Sequence, residues 1–260
     1  MKANPLKFSI ICLKVIFFTA KISLITLYKS YRHTFTRENG NQLMQYWSDK
    51  MLKLVNLHLI IHPNNEPLNT ENRACIYMSN HLSLFDIPVL YKAIPGTLRM
   101  VAKKELFNTP IWGQGMKAGE FIMLDRQNSK QSITALKLAR KKMQSGIKIW
   151  ISPEGTRSVS GELLNFKKGG FLLALQTNAI IIPVGIRGTD QVMQAKSLDI
   201  YLNQQVEVSL GNAIDTNGYS VKEIRQLMSD VKQQIYNSIS SSKSSSDNSS
   251  SDNSSGGLPS

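Results

Sequence analysis

Apolar residues first gather at positions 8–28, twenty-one residues of mostly apolar character that would span about 31 Å as a helix. That length reaches across a bilayer. Lys7, Lys14 and Lys21 recur every seven residues, and Lys29 and Arg32 join them inside a stripe about 80° wide at helical pitch. A cationic stripe beside a wide apolar face is expected at a membrane interface, lying in its plane rather than crossing it. No small-residue cleavage site follows the apolar run, so a retained anchor is expected rather than a signal peptide. The alternative is an amphipathic helix packed on the domain. Residues 42–55 continue at helical period through Leu43, Met44, Trp47, Met51, Leu52 and Val55, which predicts a second helix.

From residue 57 the pattern changes to short apolar runs separated by amphipathic stretches. Strands are predicted at 57–61, 74–78, 98–102, 121–124, 147–151 and 179–182, the last stopping before Pro183, with residues 206–208 as an edge strand. Helices are predicted at 87–94, 129–144 and 221–239, and a further one opens after 165–171. Strands alternating with helices argue an α/β domain with a mostly parallel or mixed sheet flanked by helices. The expected division is N-terminal membrane-associated helices at 1–56, the α/β domain at 57–239, and a tail at 240–260. That tail is Ser, Asn, Asp and Gly with few apolar residues, a composition expected to stay disordered.

Composition adds a sign to this picture. Lys and Arg number 31 against 18 Asp and Glu, for a formal charge of +13, which calls for an anionic partner: nucleic acid, a membrane surface or a phosphorylated substrate. Two cysteines, Cys12 and Cys75, lie in apolar stretches without the spacing of a zinc site or a disulfide framework. His58 and His62 sit too far apart along a strand to share a metal, about 13 Å at strand rise. No metal is expected.

Chemistry concentrates just past the run at 74–78, where Asn80-His81 is followed by Asp86. The carboxyl ends of strands in an open α/β sheet are where ligands bind. A histidine whose second nitrogen meets a carboxylate is equipped to deprotonate a hydroxyl. The other reading of this pair is structural, a histidine at a helix start with Asp86 in the first turn, where carboxylates are favoured. Further runs end in Lys103-Lys104, in Asp125-Arg126, and in Ser152-Pro153-Glu154-Gly155-Thr156-Arg157-Ser158. Glycine, hydroxyls and cations around a helix start make an anion site, with phosphate the natural guest.

In the order and content of these blocks the sequence resembles the glycerolipid acyltransferases, in particular those acting on 1-acylglycerol-3-phosphate. N-H-x-x-x-x-D is Asn80-His81 to Asp86, and an apolar run ending in D-R is 121–126. P-E-G-T-R-S is 153–158, with Ser152 where the family usually has Phe. An apolar run into P-V ends at Pro183-Val184. The resemblance covers residues 57 to 210 and implies His81 as the base that activates a glycerol hydroxyl for attack on an acyl thioester, oriented by Asp86. It implies an acceptor site built from Asn80, Lys103, Lys104, Arg126, Glu154, Gly155, Thr156 and Arg157, with Glu154 holding cationic side chains or an acceptor hydroxyl. Ser83 is read as a helix-start hydroxyl rather than a nucleophile.

The resemblance further implies no cofactor, with acyl-CoA or acyl carrier protein as donor substrate, and a membrane lipid as acceptor. It places the catalytic domain on the cytoplasmic face of a membrane, the inner membrane if the source is bacterial. Acceptors other than lysophosphatidate, including another lysophospholipid or a lipid without phosphate, remain open at this stage. A basic protein that binds membranes or nucleic acid without catalysis would share the charge but have no use for His81 with Asp86. No nucleic-acid partner is expected, since basic residues are not interleaved with aromatics.

Overall fold

The computed structural model describes residues 1–64, 73–124 and 129–247. Asn4 caps the first helix, α1 (Pro5–Tyr31), by accepting from Lys7 N–H at 2.8 Å, and Pro5 opens it, as expected for a residue whose missing N–H would be unpaired there anyway. Thr36 and Asn39 form a reciprocal cap at the start of α2 (Arg37–Leu54). Ile11, Leu52 and Val55 enter the same apolar cluster as the central strands. The N-terminal helices and the α/β portion therefore share one core.

Among the described residues eight strands follow: β1 (His58–His62), β2 (Cys75–Ser79), β3 (Leu98–Lys103), β4 (Ile122–Leu124), β5 (Lys148–Ile151), β6 (Ile180–Arg187), β7 (Gln205–Leu210) and β8 (Ile214–Asp215). The sheet runs β1-β7-β6-β2-β5-β3-β4, with β8 on β6. Strands β6, β2, β5, β3 and β4 are mutually parallel, while β7 and β8 run against β6. The sheet is mixed. Between strands come α3 (Asp86–Ala93), α4 (Lys104–Phe107), α5 (Trp112–Ala118), α6 (Ser129–Gln144), α7 (Gly169–Thr177) and α8 (Thr189–Val192), and α9 (Ile224–Asp247) closes the fold.

Two strand expectations are corrected. Val206 to Val208 lies inside β7, which is no edge: β1 pairs along it from His58↔Gln205 to His62↔Ser209, and β6 flanks the other side. Strand β6 does not stop at Pro183 but runs on to Arg187. Proline lacks an N–H for the ladder, yet Pro183 falls where β8, paired at 180–181, gives way to β7, paired from Val184. Its carbonyl is used, accepting from Gly211 N–H at 2.8 Å. The tail expected to be disordered from Ser240 begins as helix, since α9 continues to Asp247; residues 248–260 lie outside the described residues.

Helix α1 is thus packed on the protein along one face, burying Ile11, Ile22, Ser23 and Thr26. Its approach to α5 depends on Gly115, where a Cβ would meet the Ser23 side chain at 2.8 Å. The opposite face remains open, with Leu6, Leu13, Phe17, Leu24, Tyr28 and Tyr31 all more than half exposed. At 100° per residue these six fall within about 60°.

Candidate active site

Parallel pairing brings the carboxyl ends of β2, β3, β5 and β6 to one edge of the sheet. At the end of β2, His81 Nδ1 lies 2.6 Å from Asp86 Oδ2. Asp86 is fully buried and accepts from four donors. Oδ2 takes the His81 ring N–H and the main-chain N–H groups of Leu82 (2.8 Å) and Ser83 (3.0 Å), and Oδ1 takes the Thr189 hydroxyl at 2.5 Å. A carboxylate has only lone pairs to offer, so Nδ1 carries the proton and Nε2 is left as acceptor. The pair is assembled as a base with its orienter.

The ring of His81 keeps 19% of its side-chain surface exposed and stands edge-on to Trp150 of β5, 5.9 Å between centroids. Trp150 is itself held by an indole N–H bond to Ser79 Oγ at 2.9 Å. Ser83 is buried and gives its hydroxyl hydrogen to the Met193 carbonyl at 2.7 Å, which leaves no nucleophile there.

Two residues expected to meet substrate prove to be scaffold. Asn80 is 2% exposed, and its carboxamide both donates to the Ile186 carbonyl and accepts from the Ile186 N–H, each at 2.8 Å. That pairing extends the β2–β6 ladder by one side chain and fixes the backbone just before His81. Among the described residues Glu154 holds no arginine or lysine. It is 2% exposed, and its two oxygens accept from His81 N–H at 2.9 Å and Leu164 N–H at 3.0 Å. Burial pushes its carboxyl up from the usual range, against the pull of those two N–H groups. The Ser158 N–H in turn donates to the His81 carbonyl at 2.8 Å, so the loop 152–168 is stapled to the turn that carries His81 from both sides.

Within that loop Gly155 takes φ +71°, a left-handed conformation that favours glycine. Thr156 is exposed and Arg157 half-buried, and among the described residues the Arg157 guanidinium makes no hydrogen bond or ion pair. Lys103, exposed, ends β3 at the same sheet edge, and the half-buried Lys104 opens α4. Arg126 lies outside the described residues. Sequence reasoning passed over Thr189 and Trp150. The Gly-Thr-Asp following the P-V strand was the available signal for Thr189; Trp150 reads simply as a core residue of an apolar run.

A model of the Acyltransferase family matches residues 59–187. Over 204 residues the chain is 30% identical to the 1-acyl-sn-glycerol-3-phosphate acyltransferase of Haemophilus influenzae, an alignment spanning 78% of this chain and 82% of that one. The chain belongs to the acyltransferase family. It is also 33% identical over 159 residues to the human 1-acyl-sn-glycerol-3-phosphate acyltransferase beta, and 38% identical over 130 residues to the coconut (Cocos nucifera) enzyme. It spans 57% and 42% of those two relatives. The fold matches the crystal structure of the 1-acyl-sn-glycerophosphate acyltransferase PlsC from Thermotoga maritima with a TM-score of 0.77, at 23% identity over 92% of this chain and 96% of that one. In this member of the family the matched segment runs from β1 to the end of β6 and so contains the His81–Asp86 pair and the whole stapled loop. Thr189, which holds the far oxygen of Asp86, falls just beyond it.

Proposed function

We propose that the protein moves a fatty acyl group from an acyl thioester to the sn-2 hydroxyl of 1-acyl-sn-glycerol 3-phosphate. The observation that carries this reading is the buried Asp86 holding His81 at 2.6 Å with Nε2 left to accept. Nε2 takes the hydroxyl proton as the oxygen attacks the thioester carbonyl. The resulting tetrahedral centre collapses by breaking the carbon–sulfur bond, and the imidazolium returns its proton to the thiolate. No acyl-enzyme is needed when base and hydroxyl meet in one site. The names of the aligned relatives support lysophosphatidate as acceptor, and Arg157, Thr156, Lys103 and Lys104 supply cations and a hydroxyl for its phosphate. Acyl-CoA and acyl carrier protein both present the required thioester.

Thiol release from an acyl thioester, followed across acceptors with and without phosphate, tests this directly. Phosphorylated acceptor should be preferred, and Arg157→Ala should raise its KM about tenfold or more while changing the donor KM little, because a guanidinium fork binds phosphate and not thioester. Equal losses on an acceptor lacking phosphate would make Arg157 structural. Absence of transfer to every acceptor would remove the enzymatic reading.

The protein works, in this reading, on the cytoplasmic face of a membrane, the inner membrane in a bacterial cell. The open face of α1 supports the membrane attachment: Leu6, Leu13, Phe17 and Leu24 are exposed, and Lys7, Lys14 and Lys21 lie about 60–100° round the helix from them. Such a helix immerses its apolar stripe and keeps its lysines among anionic headgroups. A spanning pose is disfavoured, since central lysines cost about 2.5 to 3.5 kcal/mol each, and α1 is already packed on α2 and α5. Replacing Leu13, Phe17 and Leu24 with serine should release the protein from anionic vesicles in a sedimentation assay without lowering its melting temperature. Unchanged sedimentation would show that another surface holds the membrane.

A further inference from the structure

Between α1, α2, α5 and β3 lies a cavity of about 380 Å³, within the size range of small-molecule pockets. Its wall is apolar for most of its extent, including Leu43, Met44 and Trp47 of α2 and Met116 of α5. Leu84 and Ile87 complete it, and these flank Asp86 in the chain. The cavity therefore reaches the segment that carries Asp86 and extends beneath the N-terminal helices.

One charged group breaks the apolar wall. Arg99 of β3 is 1% exposed, and most of its donors are used. Nε donates to the Gly119 carbonyl at 2.6 Å, and Nη1 to the Leu98 carbonyl at 2.7 Å and Asn41 Oδ1 at 3.2 Å. Among the described residues Nη2 is buried without a hydrogen-bond partner, and it faces Gly40, where a Cβ would come within 2.8 Å of it. The Phe121 ring, 5.9 Å from the guanidinium carbon, offers a π face but no lone pair. Removing a cationic donor from water and leaving it unmatched is unfavourable, so the site is incomplete without an oxygen acceptor. Across the cavity, Ser23 and Thr26 of α1 give their hydroxyl hydrogens to the Thr19 and Ile22 carbonyls of their own helix, leaving oxygens able to accept.

We propose that the cavity selects a fatty acyl chain carrying a hydroxyl along its length, with Arg99 Nη2 donating to that oxygen. This rests on the acyl-transfer reading above. With the donor's acyl chain in the cavity, its thioester carbonyl stays at the reacting end beside His81, so an oxygen for Arg99 comes from a substituent further down that chain. A hydroxyl fits better than a ketone, because it can also donate to the oxygens on α1.

The test is thiol release by the full-length protein with lysophosphatidate and a panel of acyl-CoA donors of one length, unsubstituted or hydroxylated at successive positions. At least one positional isomer should show kcat/KM about tenfold or more above the unsubstituted chain, the scale of one hydrogen bond to a charged donor. In Arg99→Met that ratio should fall to about one. A wild-type panel in which no hydroxylated isomer exceeds the unsubstituted chain overturns the proposal, whether or not the variant folds, and so does a preference that survives in a folded Arg99→Met protein. Transfer from no donor at all would instead remove the acyl-transfer reading on which the proposal depends.

Discussion

Replacing His81 with alanine should lower kcat/KM for acyl transfer by at least ~100-fold, the scale of a lost general base, with the melting temperature nearly unchanged. The separation of the two effects follows from how His81 is held. Its structural bonds are made by its main chain, N–H to Glu154 and carbonyl from Ser158, and both survive in alanine. Its ring is partly exposed and touches Trp150 only edge-on, so little packing is lost. Asp86 would keep its three other donors. Thiol release measured beside a thermal melt checks both halves, and a folded variant retaining more than a tenth of wild-type turnover would mean that another group takes the proton.

Asp86→Asn should be nearly as damaging to kcat, again about 100-fold or more, and for a reason that can be read from the donors around it. The two main-chain N–H groups at the Oδ2 position call for an oxygen, so the amide nitrogen of the variant turns to Thr189, whose hydroxyl can rotate to accept. The fold then survives. His81 keeps a neutral acceptor on Nδ1 but loses the negative charge beside the imidazolium that forms as the hydroxyl gives up its proton. A kcat within tenfold of wild type, measured at saturating acceptor, would show that the charge contributes nothing and that Asp86 only orients the ring.

What could be read in advance divides along local and distant chemistry. His81 and Asp86 are five positions apart and lie on one turn, so their spacing already places them within reach. The fourth donor to the carboxylate, Thr189, comes 103 positions later, and no local pattern announces it. Glu154 and Asn80 were read as substrate ligands because a sequence displays charge and polarity but not partners. Both are consumed by backbone groups, which carry no residue identity. The strands themselves were legible from apolar runs, yet their neighbours were not: three alternating residues at 206–208 look the same at an edge as between β1 and β6. Pro183 ended a strand by rule, whereas the actual ladder changes partner at that residue. The stripe of lysines along α1 was visible because helical period alone reveals it, but whether the far side of that helix met protein could only come from packing. Arg99 reads as an ordinary strand residue, and its unmatched donor appears only once β3, α2 and α5 close around it.

The long reach of the site's bonds also sets the order in which the protein comes into being. Asn80 is fixed by Ile186, Ser83 by Met193 and Asp86 by Thr189, at separations of 106, 110 and 103 residues, and β1 waits for β7. Synthesis proceeds from the amino terminus, and contacts so distant in sequence form slowly. Helix α1 therefore leaves the ribosome, and can settle at a lipid surface, well before any of the chain that locks the catalytic turn exists. On the proposed reaction and membrane attachment, the base is set only after residue 193 has emerged, so the nascent chain is tethered while still inert and first becomes competent beside its lipid substrate.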